Sequence, residues 1–474
     1  MDFALVLLIA FIVFLVALVK TELGLYLVIF SMLLSPEIAT GSAALAEHRR
    51  VVIRTEDLVL LVVAFSWLAK TAVNKELGLT LKTPLNRPIM GYITVTAIAT
   101  LVGYATGTVQ GLGGFFYVLK YVEYFVVYYM VANNLSDRSQ AWRLVAAAFL
   151  TAAIVSVIGA AQIPSGERVS APFEGVEGEP NTLGGYLVIT MALAGGIALE
   201  TQRLRVRLIC LGLVALMLLP FAYTLSRASF LAIPFMLIAF GFLSSRRRTL
   251  VSAFVLLLVA APLLGLALPK QVVNRILYTF EPEAGSPTIK LGKVAFDPST
   301  SARLISMKEA LEQWTRRPIF GYGVTGAGFM DAQYARTLVE TGVIGLAAFL
   351  WLVWSALKSG LGSFRTLRDP EERGLALAFH SAVNIGEPVF KSLNRFSSVH
   401  ALGFPIYNII HLIYRRQSYE FASKDYEFSR GSEREHWQAG WQDTRRTLDH
   451  PDWFRPPPPE RGFCVHDVHR DAED

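Results

Sequence analysis

Charged residues and cysteines are both scarce in this chain of 474 residues. Only 17% of the residues are charged, whereas 53% are hydrophobic and the mean hydropathy is +0.43. So few charges exclude a water-soluble fold of this length. Two cysteines in dissimilar surroundings, Cys210 and Cys464, do not make a disulfide framework, and no Cys/His cluster has metal-ligand spacing. We therefore expect a polytopic membrane protein with no cofactor and no metal.

The amino end lacks the features of a cleaved leader. MDFALVLLIAFIVFLVALVK has no basic region before its apolar run and no small-residue cleavage site, and the run is long enough to cross a bilayer. We interpret it as a retained first span. Later apolar runs raise the expected total to about eleven; they lie near residues 22–36, 57–73, 88–107, 113–133, 141–162, 182–199, 208–225, 228–244, 249–268 and 337–357.

Basic loops predict the orientation of these spans. The connections TQRLRVR, SSRRRT and KSGLGSFRTLR are basic, and they alternate with the nearly uncharged YATGTVQG and the acidic PSGERVSAPFEGVEGEPN. Because Lys and Arg mark cytoplasmic loops, residues 163–181 and 269–336 are expected outside. The basic loop AEHRRVVIR disagrees, since the same alternation places it outside as well. The amino-terminal topology therefore stays open at this stage.

A polar insert interrupts the hydrophobic pattern. The fold class expected is all-α and polytopic, with about eleven transmembrane helices and one large outer-face loop carrying an amphipathic helix. The expected domains are a helical bundle over 1–268, the extracytoplasmic loop 269–336, a transmembrane helix over 337–358 and a cytoplasmic segment with an atypical tail over 359–474.

The insert contains one regular helical pattern, STSARLISMKEALEQW. Leu304, Met307, Leu311 and Trp314 recur at helical spacing, opposite a charged face. This pattern predicts an amphipathic helix lying on the membrane surface, with Arg303 in its first turn.

Ionisable residues inside or beside spans are candidates for function because they are costly in lipid. Lys120 and Glu123 are three residues apart on one helical face, where they can neutralise each other as a structural pair or bind substrate. Arg227 lies in a tight outer connection. A snorkelling side chain is one interpretation, and binding of an anionic ligand is the other, which we favour because a lone Arg on the outer face goes against the positive-inside bias.

The insert ends with a glycine-rich stretch and a new span. Gly321, Gly323 and Gly326 form GxGxxG, but no βαβ alternation surrounds them, so a dinucleotide site is rejected and a flexible turn is expected, whose N–H groups could approach a phosphate. Beyond it, Glu340 lies one turn after Arg336 and can pair with it. Asp331 precedes the span and is better placed to meet a substrate.

Several fragments together resemble one family. PNTLGGYLV, TLSRASFLA, SARLISMKEALEQWTRRPIFGYGVTGAGF and YARTLVETGVIGLAAFLW, with TPLNRPI and LKYVEYF earlier, look like the O-antigen ligase and polymerase family, nearer its exopolysaccharide-polymerase branch. The resemblance spans about residues 1 to 375.

This resemblance implies a multi-pass enzyme of the bacterial inner membrane. Such glycosyltransferases move a glycan from undecaprenyl diphosphate to a glycan or lipid-linked acceptor, in contact with membrane lipids and alongside other polysaccharide-export proteins. Arg227 matches the family's SR motif and Arg303 its loop Arg, so both are candidates to stabilise the leaving diphosphate. Asp331 stands where relatives usually carry His and is the candidate general base.

The remaining candidates are assigned to substrate binding. They are Lys120, Glu123, Asn181, Arg336 and Glu340. A transporter or flippase of polyprenyl-linked glycans is the alternative function, but such proteins show inverted repeats that are not evident here. The net charge of +6 comes mostly from short basic loops, so no nucleic acid partner is expected.

The carboxyl-terminal tail departs from this pattern. After about residue 375 the chain offers only a weak apolar run near residues 399–414, and beyond that run it is charged and Pro-rich, without sustained periodicity. Two explanations stay open: a cytoplasmic interaction tail, or a shifted reading frame in the gene.

Overall fold

A computed structural model describes residues 3–34, 37–38, 53–73, 83–135, 137–172, 180–248, 250, 252, 273, 290–291, 294–295, 298–327, 330 and 333–390. All of them lie in the unit Met1–Arg415. Most of the predicted span over 249–268, part of the polar insert and the tail after residue 390 fall outside these ranges.

The regular secondary structure of the described residues is helical apart from two short antiparallel strand pairs and a 3₁₀ turn at Ile163–Ser165. The helices are α1 (Phe3–Val19), α2 (Thr21–Leu34), α3 (Thr55–Val73), α4 (Asn86–Ala105), α5 (Gly113–Asn134), α6 (Arg138–Gln162), α7 (Pro180–Glu200), α8 (Leu204–Tyr223), α9 (Arg227–Leu243), α10 (Pro298–Arg316), α11 (Gln333–Thr366) and α12 (Pro370–Phe390). Strand β1 (Glu37–Ile38) pairs antiparallel with β2 (Ile53–Arg54), and β3 (Lys290–Leu291) pairs antiparallel with β4 (Val294–Ala295).

Six of the described helices are long and apolar enough to cross a membrane. They are Asn86–Ala105, Gly113–Asn134, Arg138–Ser165, Pro180–Glu200, Leu204–Tyr223 and Gln333–Thr366. Three further apolar helices, Val6–Val19, Thr21–Ser31 and Arg227–Leu243, are shorter. The chain is therefore an all-helical, multi-pass membrane protein. The total of eleven spans stays a prediction.

Helix α7 forms the centre of the bundle, with neighbours α8, α9 and α12 packed around it. Its closest approach to α12 is between Gly196 and Gly374, where a Cβ added at either residue would stand 2.5 or 2.6 Å from the other's backbone carbonyl oxygen. Lipid provides no hydrophobic force between helices, so such small residues favour association by letting backbones pack closely.

One end of the bundle, here called the basic end, joins helix termini through charged groups. Arg138 at the start of α6 contacts Asp369 at 2.7 Å and Glu372 at 2.8 Å. Burial raises the pKa of Asp369, but hydrogen bonding and attraction from Arg138 outweigh it and the pKa is lowered. Burial raises the pKa of Glu372 to about 7. Other basic residues at this end are Lys20, Lys70, Arg143, Arg203, Arg205, Arg207 and Arg246.

At the opposite end, the connections α4–α5, α6–α7, α8–α9 and α10–α11 emerge from the bundle. Two of them are in direct contact, because Thr108 donates to the carbonyl oxygen of Tyr322 at 2.7 Å. The candidate residues for function lie mostly at this end.

Candidate functional site

The segment Arg317–Gly326, here called the glycine loop, connects α10 toward α11. Gly321 and Gly323 have φ values of 66° and 84°, and Thr325 has 67°. Glycine adopts this left-handed region without a steric penalty. Two of the three glycines in the GxGxxG pattern are thus required by backbone conformation rather than by a cofactor.

The amide groups of the glycine loop are used within the protein. Tyr322 N–H donates to Val339 O at 3.0 Å, and Gly323 N–H donates to Glu340 O at 2.8 Å. Thr325 N–H donates to the Glu340 carboxylate at 3.1 Å. These N–H groups point into the protein, which disfavours the predicted approach of the glycine loop to a phosphate.

The glycine loop is also fixed against α4. Arg317 donates to Thr106 Oγ1 at 2.8 Å and its guanidinium lies 5.2 Å from the centre of the Tyr322 ring. Val324 N–H donates to Thr100 Oγ1 at 3.3 Å, and the Val324 side chain is fully buried. These contacts fix the loop against α4 and disfavour the predicted flexible turn.

A break in α11 creates the acceptors for this docking. Gly342 has φ 67° and ψ −169°, which no helical residue adopts. At the break, Val343 N–H donates to Pro318 O at 2.9 Å, while Val339 O accepts from Tyr322. The kink therefore exposes backbone carbonyls of α11 to the loop, as sharp kinks do when the i→i−4 ladder is interrupted.

Arg336 and Glu340 both form hydrogen bonds with backbone groups. The sequence predicted that they pair with each other or bind substrate. Each is 5% exposed. Arg336 donates through Nε and Nη2 to Met330 O, and Glu340 accepts from Thr325 as described above. Arg336 thus fixes the peptide that leads into residue 331. Asp331 itself lies outside the described residues.

The predicted amphipathic helix is present as α10. Leu304, Met307 and Leu311 are exposed by 37%, 47% and 51%, whereas Ala310 is buried against Met330 and Val339. The exposed apolar face agrees with the predicted contact with a membrane surface. Arg303 lies within this helix.

Arg227 occupies the first position of α9, after a tight turn. The Ser226 side chain caps the helix by accepting from Ser229 N–H, and Leu225 has a φ of 50°. A left-handed conformation costs a non-glycine residue about 1–2 kcal/mol. The Arg227 side chain is half-buried. Its placement beside a strained turn resembles the settings in which functional residues are held.

The start of α7 adjoins this turn. A Cβ at Gly184 would stand 2.5 Å from Ser229 Oγ, so α7 and α9 begin side by side. Asn181 lies one turn before Gly184 and is half-buried. The structure thus brings the neighbourhoods of Asn181 and Arg227 together.

A further arginine at the same turn was missed by the sequence reasoning. Arg168, in the α6–α7 connection, donates through Nε to Thr224 O at 2.9 Å and through Nη2 to Leu225 O at 3.4 Å. The signal was present, because Arg168 is a basic residue in an otherwise acidic connection, as unusual by the positive-inside bias as Arg227.

Lys120 has a second partner beyond the one predicted. Its Nζ lies 3.2 Å from Asp57 Oδ2 on α3, and its charge also attracts the Glu123 carboxylate within α5. The prediction considered only residues of one helix. The pair links two helices, which favours the structural interpretation over substrate binding.

Two sequence families match parts of the chain. Residues 212–350 match the family model described as O-antigen ligase, and residues 404–460 match one described as patatin phospholipase. No curated protein matches the chain. The first range includes α9, α10 and the glycine loop, and it confirms the predicted resemblance. The second lies outside the described residues and contains no GxSxG nucleophile elbow.

Proposed function

We propose that the chain is a membrane glycosyltransferase that polymerises or ligates glycan repeat units carried on undecaprenyl diphosphate, because residues 212–350 match the O-antigen ligase family model. The observation that carries the proposal is that this matched range includes both arginine candidates and the docked glycine loop within a multi-pass helical protein. The products are O-antigen or exopolysaccharide chains.

The charge distribution supports an outer-face reaction in the bacterial inner membrane. Basic residues gather at the basic end, which is the cytoplasmic side by the positive-inside rule. The α8–α9 turn and the glycine loop emerge at the opposite end, and this favours chemistry on the extracytoplasmic face. Donor and acceptor glycans would meet there with the lipid tail of the donor in the bilayer.

The reaction replaces one bond at the anomeric carbon and transfers one proton. The acceptor hydroxyl oxygen attacks the anomeric carbon of the donor glycan, and the bond from that carbon to the diphosphate oxygen breaks. The hydroxyl proton passes to the Asp331 carboxylate, while the electron pair leaves with undecaprenyl diphosphate. Arg227 and Arg303 stabilise the negative charge that develops on the leaving diphosphate, because guanidinium groups bind phosphate oxygens in pairs.

The described contacts narrow the roles of the other candidates. Arg336 and Glu340 act on the loop backbone and so support the site rather than bind glycan. Lys120 pairs with Asp57, which favours a role in helix packing for Lys120 and its neighbour Glu123. Asn181 keeps its proposed role in substrate binding because it lies close to the Arg227 turn.

Reconstituted vesicles test the proposal. With lipid-linked repeat units supplied, Arg227→Ala and Arg303→Ala should each lower chain extension about 100-fold or more, the usual effect of removing a group that stabilises transition-state charge. Arg205→Ala is the matched control, since Arg205 is an exposed arginine at the basic end. Full extension by both variants would exclude these residues as the site. Translocation of glycan without a new glycosidic bond would indicate a transporter instead.

The products in cells separate polymerase from ligase. Loss of long chains with single repeats still attached to their acceptor indicates a polymerase. Accumulation of unattached polymer indicates a ligase.

A further inference from the structure

The Arg168 guanidinium forms hydrogen bonds with the backbone that leads into Arg227. Its two hydrogen bonds go to the carbonyls of Thr224 and Leu225, which are consecutive residues. A neighbouring bond reinforces the contact, because Val169 N–H donates to Tyr223 O at 3.0 Å. Only Ser226 separates Leu225, the second of these bonded residues, from Arg227.

The carbonyls bonded by Arg168 lie at the carboxyl-terminal end of α8, where the helix dipole concentrates partial negative charge. In the proposed reaction, a diphosphate approaching Arg227 would be repelled by this charge. A guanidinium on these carbonyls offsets the repulsion. The same contact holds Leu225 at its positive φ, and this conformation sets the direction in which α9 begins.

We propose that Arg168 is a positioning residue for Arg227, which fixes the α8–α9 turn so that Arg227 meets the diphosphate of the lipid-linked donor. The role rests on the proposed function, because Arg227 needs an anionic ligand for its position to matter. Arg168 acts through the turn and through Arg227, not by contact with the reacting atoms.

The chain contains a matched control for ordinary helix capping. Arg207 at the basic end also makes two bonds to carbonyls at the carboxyl-terminal end of a helix, from Nε to Ala198 O in the last turn of α7 at 3.2 Å and from Nη2 to Thr201 O just after it. Arg207→Ala removes the same kind of contact at the end of the bundle remote from Arg227. A loss seen with Arg168→Ala but not with Arg207→Ala is therefore specific to the turn.

The first measurement is made without ligand. Amide hydrogen exchange of the full chain in nanodiscs should show Leu225, Ser226 and Ser229 exchanging about tenfold faster in Arg168→Ala, since these amides make the bonds of the turn. Arg168→Lys should fall between, because lysine does not present a guanidinium fork. Unchanged exchange in Arg168→Ala would overturn the proposal whether or not the protein is a glycosyltransferase.

The second measurement is equilibrium binding of radiolabelled undecaprenyl diphosphate, arranged as a double-mutant cycle. Arg168→Ala should weaken binding about tenfold in the wild-type background and leave it nearly unchanged in Arg227→Ala, because the effect passes through Arg227. Arg207→Ala should bind as the wild type does. An equal loss in both backgrounds, or none in either, would refute the positioning role. Absence of binding by the wild-type protein would refute the proposed function instead, and the exchange measurement would still decide the role at the turn.

Discussion

Gly342 is the residue on which docking of the glycine loop depends. Its φ of 67° and ψ of −169° interrupt α11, and the interruption turns Val339 O and Glu340 O toward the loop amides. The decisive perturbation is Gly342→Ala, which adds one methyl group. We expect this substitution to destabilise the protein and to release the glycine loop.

The magnitude follows from two separate costs. This backbone conformation is essentially restricted to glycine, and forcing another residue into it costs about 1–3 kcal/mol. The new Cβ would also collide with the carbonyl group of Ile319 and stand 2.7 Å from Phe320 N. Backbone atoms cannot swing away as a flexible side chain can, and overpacking of this kind costs typically about 1–3 kcal/mol more. The expected total is about 2–6 kcal/mol, a large part of the stability of a folded protein.

The matched control is Gly362→Ala in the same helix. A Cβ at Gly362 meets nothing within 4 Å, so alanine there should be neutral or stabilise by up to about 1 kcal/mol. Thermal inactivation of both variants in the same detergent compares them, and amide exchange of Tyr322 and Gly323 reports on the loop. Equal inactivation rates, with loop amides protected in both variants, would refute the reasoning.

Three other predictions concern helix packing and charge. Lys120→Met should lower stability by roughly 2–3 kcal/mol, which is less than the cost of breaking a fully buried pair because Lys120 and Asp57 are 21% and 18% exposed. Adding Asp57→Asn should restore most of the lost stability. An unchanged melting midpoint in Lys120→Met would contradict the importance of the pair. Gly196→Val should melt well below Gly212→Val, because only Gly196 abuts a backbone carbonyl, and equal midpoints would argue against the close crossing. Glu372 is protonated more readily when folded, with a pKa of about 7 against an ordinary 4.5, so its stabilising contribution is present below pH 4.5 and is lost as pH rises toward 7. Glu372→Gln should flatten that part of the pH dependence of the melting midpoint, whereas an unaltered profile would contradict the assignment.

Local patterns predicted the class of protein and several elements. Hydrophobic runs predicted the six described spans, and helical spacing predicted the amphipathic helix that begins near Ser301. The fragments around Arg227 and Glu340 predicted the family over residues 212–350. Each of these properties depends on residues close together in sequence, where period and composition report directly on burial.

Local patterns did not predict the partners of individual side chains. Lys120 was expected to pair with Glu123 within its own helix, and its ion pair with Asp57 on α3 was not predicted. The glycine-rich pattern indicated a flexible turn, because its sequence does not reveal that the kinked α11 and the end of α4 surround it. Glycine permits both outcomes, and only the neighbouring backbone decides between a mobile and a rigid loop.

The sequence by itself determined that this chain is a helical membrane protein and that its residues 212–350 resemble the O-antigen ligase family, since length, hydropathy and motifs are local properties. Only the tertiary structure decided that Arg336 and Glu340 form hydrogen bonds with backbone groups and that Arg168 forms hydrogen bonds with the turn before Arg227. The physical reason is that a hydrogen bond between Arg168 and Thr224 joins residues far apart in sequence, and such a pairing exists only once the helices between them have folded.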